Sequence, residues 1–162
     1  MDLATQVAII ATFAALMSAL GAILTLLRLR RAEQATFFLQ MTDRYNHPEM
    51  QQALQELASW YKDNPADFVE RWKRELTIDN AEGRQLEISR RQVNRYFTNI
   101  SQLYRAGYID KKLASMLINV SGINIYYQVV IPMGIARYGV TENKNPDTLK
   151  RIQRKHGAGL IR

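Results

Sequence analysis

Hydrophobic positions along the chain form one long uninterrupted run, followed by several shorter runs with helical period. From Leu3 to Leu27 no residue is charged. At 1.5 Å per residue, these 25 residues make about 37 Å of helix, against roughly 30 Å of bilayer hydrocarbon. The run predicts a tilted transmembrane helix. Its polar members are Thr5, Gln6, Thr12, Ser18 and Thr25. The hydroxyls can return hydrogen bonds to carbonyls one turn back, and Gln6 lies near the end of the run, close to water. A secretory signal fits poorly, because Asp2 stands where a basic region belongs and the apolar run exceeds the usual length.

Within this run the small residues Ala4, Ala8, Ala11, Ala15, Ser18, Ala22 and Thr25 alternate in steps of four and three. They form a seven-residue stripe, widened by Ala14 and Gly21, while Phe13, Met17, Leu20 and Leu24 carry bulk to other parts of the circumference. Lipid solvates large aliphatic groups as well as protein does, so helices associate in a bilayer by close backbone approach. The stripe therefore predicts a helix-packing seam, with a left-handed crossing where it is used.

Beyond the apolar run, Phe37, Phe38, Met41 and Tyr45 keep helical spacing, so the first helix is expected to continue as one rod until Asn46-His47-Pro48. Pro48 suits a first helical turn and opens a second helix that carries Met50, Leu54, Leu57 and Tyr61 inward. Asn64-Pro65 repeats the device before a short third helix with Phe68, Trp72 and Leu76 on one side. Residues 77–83 (TIDNAEG) read as a polar loop, with a fourth helix from about Leu86 to a glycine terminator at Gly107. Asp110 is placed to cap the next helix. Leu113 to Ala136 again lacks charge, but Asn119, Asn124 and Gln128 in its middle favour two core helices broken near Gly122 over a second span.

The expected fold is all-α: one N-terminal transmembrane helix continuing into a compact cytoplasmic helical domain of about five helices. The organisation is 1–31 anchor with a basic stop, 32–140 helical domain and 141–162 basic tail. The formal charge of +7 divides over these segments as +2, +1 and +4. Arg28, Arg30 and Arg31 follow the apolar run directly. Since basic residues stay in the cytoplasm, the N-terminus is expected outside and the domain on the cytoplasmic side of the membrane. In the tail, Lys150, Arg151, Arg154 and Lys155 stand together with only Asp147 nearby, which points to an anionic surface such as the inner leaflet.

Two stretches, FFLQMTDRYNHPEM at Phe37 to Met50 and YFTNISQLYRAGYIDKKLASML at Tyr96 to Leu117, carry a resemblance. They look like a bacterial family of single-span membrane proteins with a helical cytoplasmic domain and no assigned reaction. The shared features are an aromatic-rich helix ending in an RYN-like turn, a glycine followed by an Ile-Asp cap, and paired aromatics before a proline. Tyr126, Tyr127 and Pro132 occupy that last pattern here, where the family often has tryptophan. The resemblance implies the fold without implying a ligand.

Chemical equipment is sparse. The absence of cysteine excludes disulfides, thiolate metal sites and a cysteine nucleophile. With two histidines, His47 and His156, a histidine-rich metal centre cannot be assembled within one chain. His47 with Asp43, Tyr45 and Glu49 reads as a polar turn rather than an acid–base cluster. Glu70 and Glu75 are mixed with Arg71, Lys73 and Arg74, as on a solvated surface. Arg84, Arg90, Arg91 and Arg95 could bind phosphate or RNA, but Glu82 and Glu87 among them favour a solvated, salt-bridged face. No glycine-rich phosphate loop or hydrolase motif occurs.

No catalytic residue, metal or cofactor is therefore expected. The reading is a non-enzymatic accessory subunit of an inner-membrane assembly that associates through its transmembrane helix. Its partners are membrane lipids and other membrane subunits or copies of itself, with nucleic acid not expected. The competing reading is a membrane-anchored sensor or enzyme with an unrecognised pocket. Trp60, Trp72, Tyr126 and Tyr127 are expected in core and interface roles.

Overall fold

A computed structural model describes residues 2–139 and 145–153. Among them the protein is all-α, with seven helices and no strand. They are α1 (Leu3–Asn46), α2 (Pro48–Asp63), α3 (Phe68–Thr77) and α4 (Ala81–Arg105), followed by α5 (Lys111–Leu117), α6 (Val120–Tyr138) and α7 (Asn145–Gln153). The chain divides into two compact units, Met1–Phe37 and Phe38–Arg162. That division falls six residues beyond the expected boundary at Arg31, because the first side chain buried in the second unit is Met41.

In the first unit α1 is long and apolar enough to cross a membrane. Phe13, Leu16, Met17, Leu20, Ile23 and Leu24 are all more than half exposed. Ala15, Ser18, Ala22 and Thr25 of the small-residue stripe are exposed as well. Thr25 donates its hydroxyl to the Gly21 carbonyl at 2.9 Å, which satisfies it within the helix. The side chains of Ala4, Ala8 and Ala11 lie outside the described residues.

The second unit is built around α4, which packs against α2, α3, α5, α6 and α7. Its inward face holds Val93, Tyr96, Phe97 and Ile100, all buried, as the 3.6-residue period requires. Aromatic contacts run through the core in sequence: Tyr45 to Tyr96 at 5.2 Å, Tyr96 to Phe97 at 5.2 Å, Phe97 to Tyr126 at 4.9 Å, and Tyr126 to Tyr127 at 5.6 Å. Trp60 and Trp72 are buried; the Trp60 indole donates to the Phe68 carbonyl at 3.1 Å.

Local signals set most helix ends. Gly107 takes a positive φ of 75° after α4, and the Asp110 carboxylate accepts from the Leu113 N–H at 2.8 Å to start α5. Three features differ from expectation. First, α4 begins at Ala81 rather than near Leu86, because Asn80 caps it by accepting from the Glu82 N–H at 3.2 Å. Second, the break between α5 and α6, an 82° bend, falls at Ile118-Asn119 rather than near Gly122. The Asn119 side chain accepts from the Ser121 and Gly122 N–H groups at 2.9 and 3.4 Å and so starts α6. Third, part of the expected tail is body: α7 buries Leu149 and Ile152 completely against the unit. An apolar side chain every three residues makes a short amphipathic helix there, with Lys150 and Arg151 on its exposed side.

Gly122 has a different role, that of close approach. A Cβ on it would lie 2.7 Å from the Tyr45 hydroxyl and 3.1 Å from the Tyr45 ring. Gly122→Ala is expected to cost about 1–2 kcal/mol of stability, and less in a Tyr45→Phe background, where the obstructing oxygen is gone. Equal costs in both backgrounds, measured by denaturant midpoints, would show that this contact does not fix α6 against the end of α1.

Candidate functional site

The described charges cluster where α4 meets the C-terminal half of α6. Glu87 is buried on α4, and its carboxylate accepts three hydrogen bonds from two arginines and forms an ion pair with a third. Arg90 donates from Nε at 2.7 Å and Nη2 at 2.9 Å and Arg91 from Nε at 2.6 Å, while Arg137 places Nη1 2.9 Å from the carboxylate as an ion pair. Arg90 and Arg91 reach it because positions three and four apart share a helix face, whereas Arg137 comes from the end of α6. Tyr138 adds its ring, with the Arg90 and Arg137 guanidinium carbons 5.5 and 5.4 Å from its centroid.

Burial pushes the Glu87 carboxyl up, but hydrogen bonds from Arg90 and Arg91 and the charges of Arg90 and Arg137 pull it further the other way. It therefore stays below the usual carboxylate range. One negative charge is set against three positive ones. Arg91 is largely exposed, with 61 % of its side chain in solvent, but the Arg90 side chain is only 5 % exposed.

A cavity of ≈ 280 Å³ opens beside this cluster. One wall is α4, through Arg90, Arg91 and Asn94. The other is α6, where Tyr126 and Val130 belong to a wider π turn over Tyr126–Val130. There the Ile131 N–H reaches back five residues to the Tyr126 carbonyl. The next residue, Pro132, has no N–H to donate and its ring crowds the carbonyl four residues back, and the wider turn accommodates it. Ile131, Gly134, Tyr138 and Pro146 complete the lining. Burial pushes the Tyr126 phenol up to about 12, so it is a neutral O–H at physiological pH.

On the other side of Arg91 a larger, more open cleft of ≈ 600 Å³ lies between the end of α1, the start of α2 and α4. Asp43, Arg44, His47 and Glu49 face Ile88, Arg91, Gln92 and Arg95 across it. Its acidic and basic groups are mixed, and His47 Nδ1 lies 3.9 Å from Glu49 with both exposed. Tyr45, adjacent in sequence, turns away to Tyr96 and Gly122. Of the four groups weighed in sequence as an acid–base cluster, Asp43, His47 and Glu49 thus line the cleft while Tyr45 faces the core.

No family model, curated protein or solved structure matches the chain.

The arginines read from sequence as one solvated face separate in the same way. Arg84 pairs with Asp79 at 2.7 Å with both exposed, Arg95 lines the open cleft, and Arg90 is buried. Glu70 pairs with Lys73 at 3.8 Å, while Glu75 accepts from the Asn80 amide at 2.7 Å, so these two carboxylates do not act together. Of the expected anionic-surface residues, Lys150 places its ammonium 5.4 Å from the Tyr127 ring centroid and Arg151 is exposed. Arg154, Lys155 and His156 lie outside the described residues. Sequence reasoning missed Arg137 and Tyr138, whose only signal was a basic–aromatic pair at the end of an apolar stretch.

Proposed function

We propose that the protein is a non-enzymatic accessory subunit of a bacterial inner-membrane assembly, anchored by α1 and associating through it. The observation that carries this reading is the bare surface of α1. Large side chains from Phe13 to Leu29 are exposed on all sides of the helix, and such a surface in water would cost about 25 cal/mol for each Å² of apolar area. Lipid and neighbouring helices are the environment that covers it. Ala15, Ser18, Ala22 and Thr25 offer the closest backbone approach to such a neighbour, in line with Ala4, Ala8 and Ala11 in sequence.

Orientation follows from Arg28, Arg30 and Arg31: the N-terminus lies outside and the helical domain in the cytoplasm. Lys150 and Arg151, with Arg154 and Lys155 beyond them in sequence, are then available to anionic lipid headgroups. The resemblance to single-span bacterial membrane proteins is consistent with this reading.

Because the chain has no cysteine, single cysteines at positions 2 and 84 report topology directly. Position 2 is expected to react with an impermeant thiol reagent in intact spheroplasts, and position 84 only after the membrane is opened. The reverse pattern overturns the orientation. For association, Ala15→Leu is expected to weaken self- or partner-association in a membrane assay by about tenfold or more, and Leu20→Ala to do much less. Native mass measurement after mild detergent extraction completes the test: a lone monomer with catalytic turnover would sink the accessory reading.

A further inference from the structure

From the charge imbalance beside Glu87 we infer that the cavity between α4 and the π turn of α6 is a binding site for a small carboxylate. This site goes beyond the accessory role and does not depend on how α1 associates. Two clefts border Arg91, and their linings decide between them. The open cleft carries Asp43 and Glu49 beside its arginines, so its charges are already mixed. The smaller cavity has no carboxylate among its described lining residues, while Glu87 next to it, paired with all three guanidiniums, offsets only one of their three charges.

Arg90 supplies the decisive atom. Its Nε and Nη2 are both committed to Glu87. Its Nη1 has no hydrogen bond among the described residues and lies 3.6 Å from where a Cβ on Gly134 would stand. The residue as a whole is 4 % exposed and lines the cavity, so the free donor is held in a fixed place at the cavity wall. A guanidinium N–H held at a cavity wall with no acceptor of its own is free to make a charge-assisted hydrogen bond to an anionic ligand. The Asn94 amide offers a further donor, and Gly134 leaves room in front of Nη1.

The remaining lining sets the rest of the ligand. Val130, Ile131 and the Tyr126 ring present apolar surface that suits a short hydrocarbon body. A bare phosphate would leave that apolar wall uncovered, so a monoanionic carboxylate with a short hydrocarbon body is the better match.

The test uses the full chain in mild detergent, with butyrate as probe, butyramide as its uncharged counterpart and inorganic phosphate as the competing anion, all at constant ionic strength. Butyrate is expected to raise the unfolding temperature saturably, with a dissociation constant of the order of 1 mM. Butyramide and phosphate are each expected to bind at least about tenfold more weakly. Gly134→Leu fills the cavity in front of Arg90 Nη1 and is expected to abolish the saturable shift. Should that variant fail to fold, Asn94→Leu obstructs the same cavity from α4 and is expected to do the same. Equal shifts with butyramide, a stronger response to phosphate, a saturable butyrate shift surviving in a folded cavity-filled variant, or no saturation by about 20 mM butyrate, well above that constant, would each overturn the assignment. None of these readouts depends on the membrane association assay, so failure of the ligand site and failure of the accessory role remain distinguishable.

Discussion

Glu87→Ala is expected to destabilise the helical domain by about 3–5 kcal/mol, since removing one member of a buried charge cluster leaves the others uncompensated. Arg90 would keep its charge at 4 % exposure and lose both of its hydrogen-bonded contacts, and Arg137 would lose its only ion pair among the described residues. Arg91→Ala is the internal comparison. Its side chain is 61 % exposed, so its share is that of a solvent-screened surface pair and the loss should be far smaller. Denaturant midpoints of the full chain in mild detergent, read by fluorescence of the buried Trp60 and Trp72, measure both. Equal losses in the two variants would show that burial of the cluster is not what gives it weight.

Acid should act on the same group. The folded-state affinity of Glu87 for a proton is lowered, so its stabilising contribution is fully present above the ordinary carboxylate value of 4.5 and disappears as pH falls through its lower folded value. The stability gap between the natural protein and Glu87→Ala is therefore expected to be constant near neutrality and to narrow below about pH 4.5. A gap that widens in acid would contradict the assignment.

Gly83→Ala is the second large effect, expected at about 3 kcal/mol. A Cβ there would stand 2.6 Å from the Glu75 carbonyl carbon, 2.7 Å from the Leu76 nitrogen and 2.8 Å from the Glu75 oxygen. All three are backbone atoms, so relief requires α3 and α4 to separate. Gly134→Ala makes the contrast: its new methyl meets only Arg90 Nη1 at 3.6 Å, an ordinary contact, and replacing a helical glycine by alanine gains up to about 1 kcal/mol. Thermal unfolding of the two variants side by side should shift in opposite directions. A neutral Gly83→Ala would mean that the close approach of α3 to α4 does not contribute to stability.

Much of the helical organisation is written locally. A charge-free run, prolines at helix starts, a glycine after α4 and an aspartate before α5 each act on groups within about four residues, so periodicity and caps suffice to read them. For the same reason the all-α class, the long apolar α1 and the core face of α4 were legible, and Trp72 and Tyr126 fell inside as expected. Gly83 and Gly122 were not legible as packing positions, because their need for a missing Cβ comes from Glu75 and Tyr45 on other helices. The start of α6 at Asn119 was hidden by a nearby glycine that carried the more familiar signal.

The candidate site depended most on tertiary structure. Arg90 and Arg91 are neighbours in sequence and chemically identical, yet about 100° of helical rotation sends one into the interior and leaves the other in solvent. Sequence alone sees two charges beside an acid and favours a solvated face. What makes the buried position tenable is Glu87 turned inward with it, steadied by Arg137 and Tyr138 from the far end of α6. The sign and number of charges were therefore fixed by the chain's own residues. Which of them must be satisfied away from water was decided by the packing of α4 against α6, because the cost of an unanswered charge depends on its surroundings far more than on its neighbours in sequence.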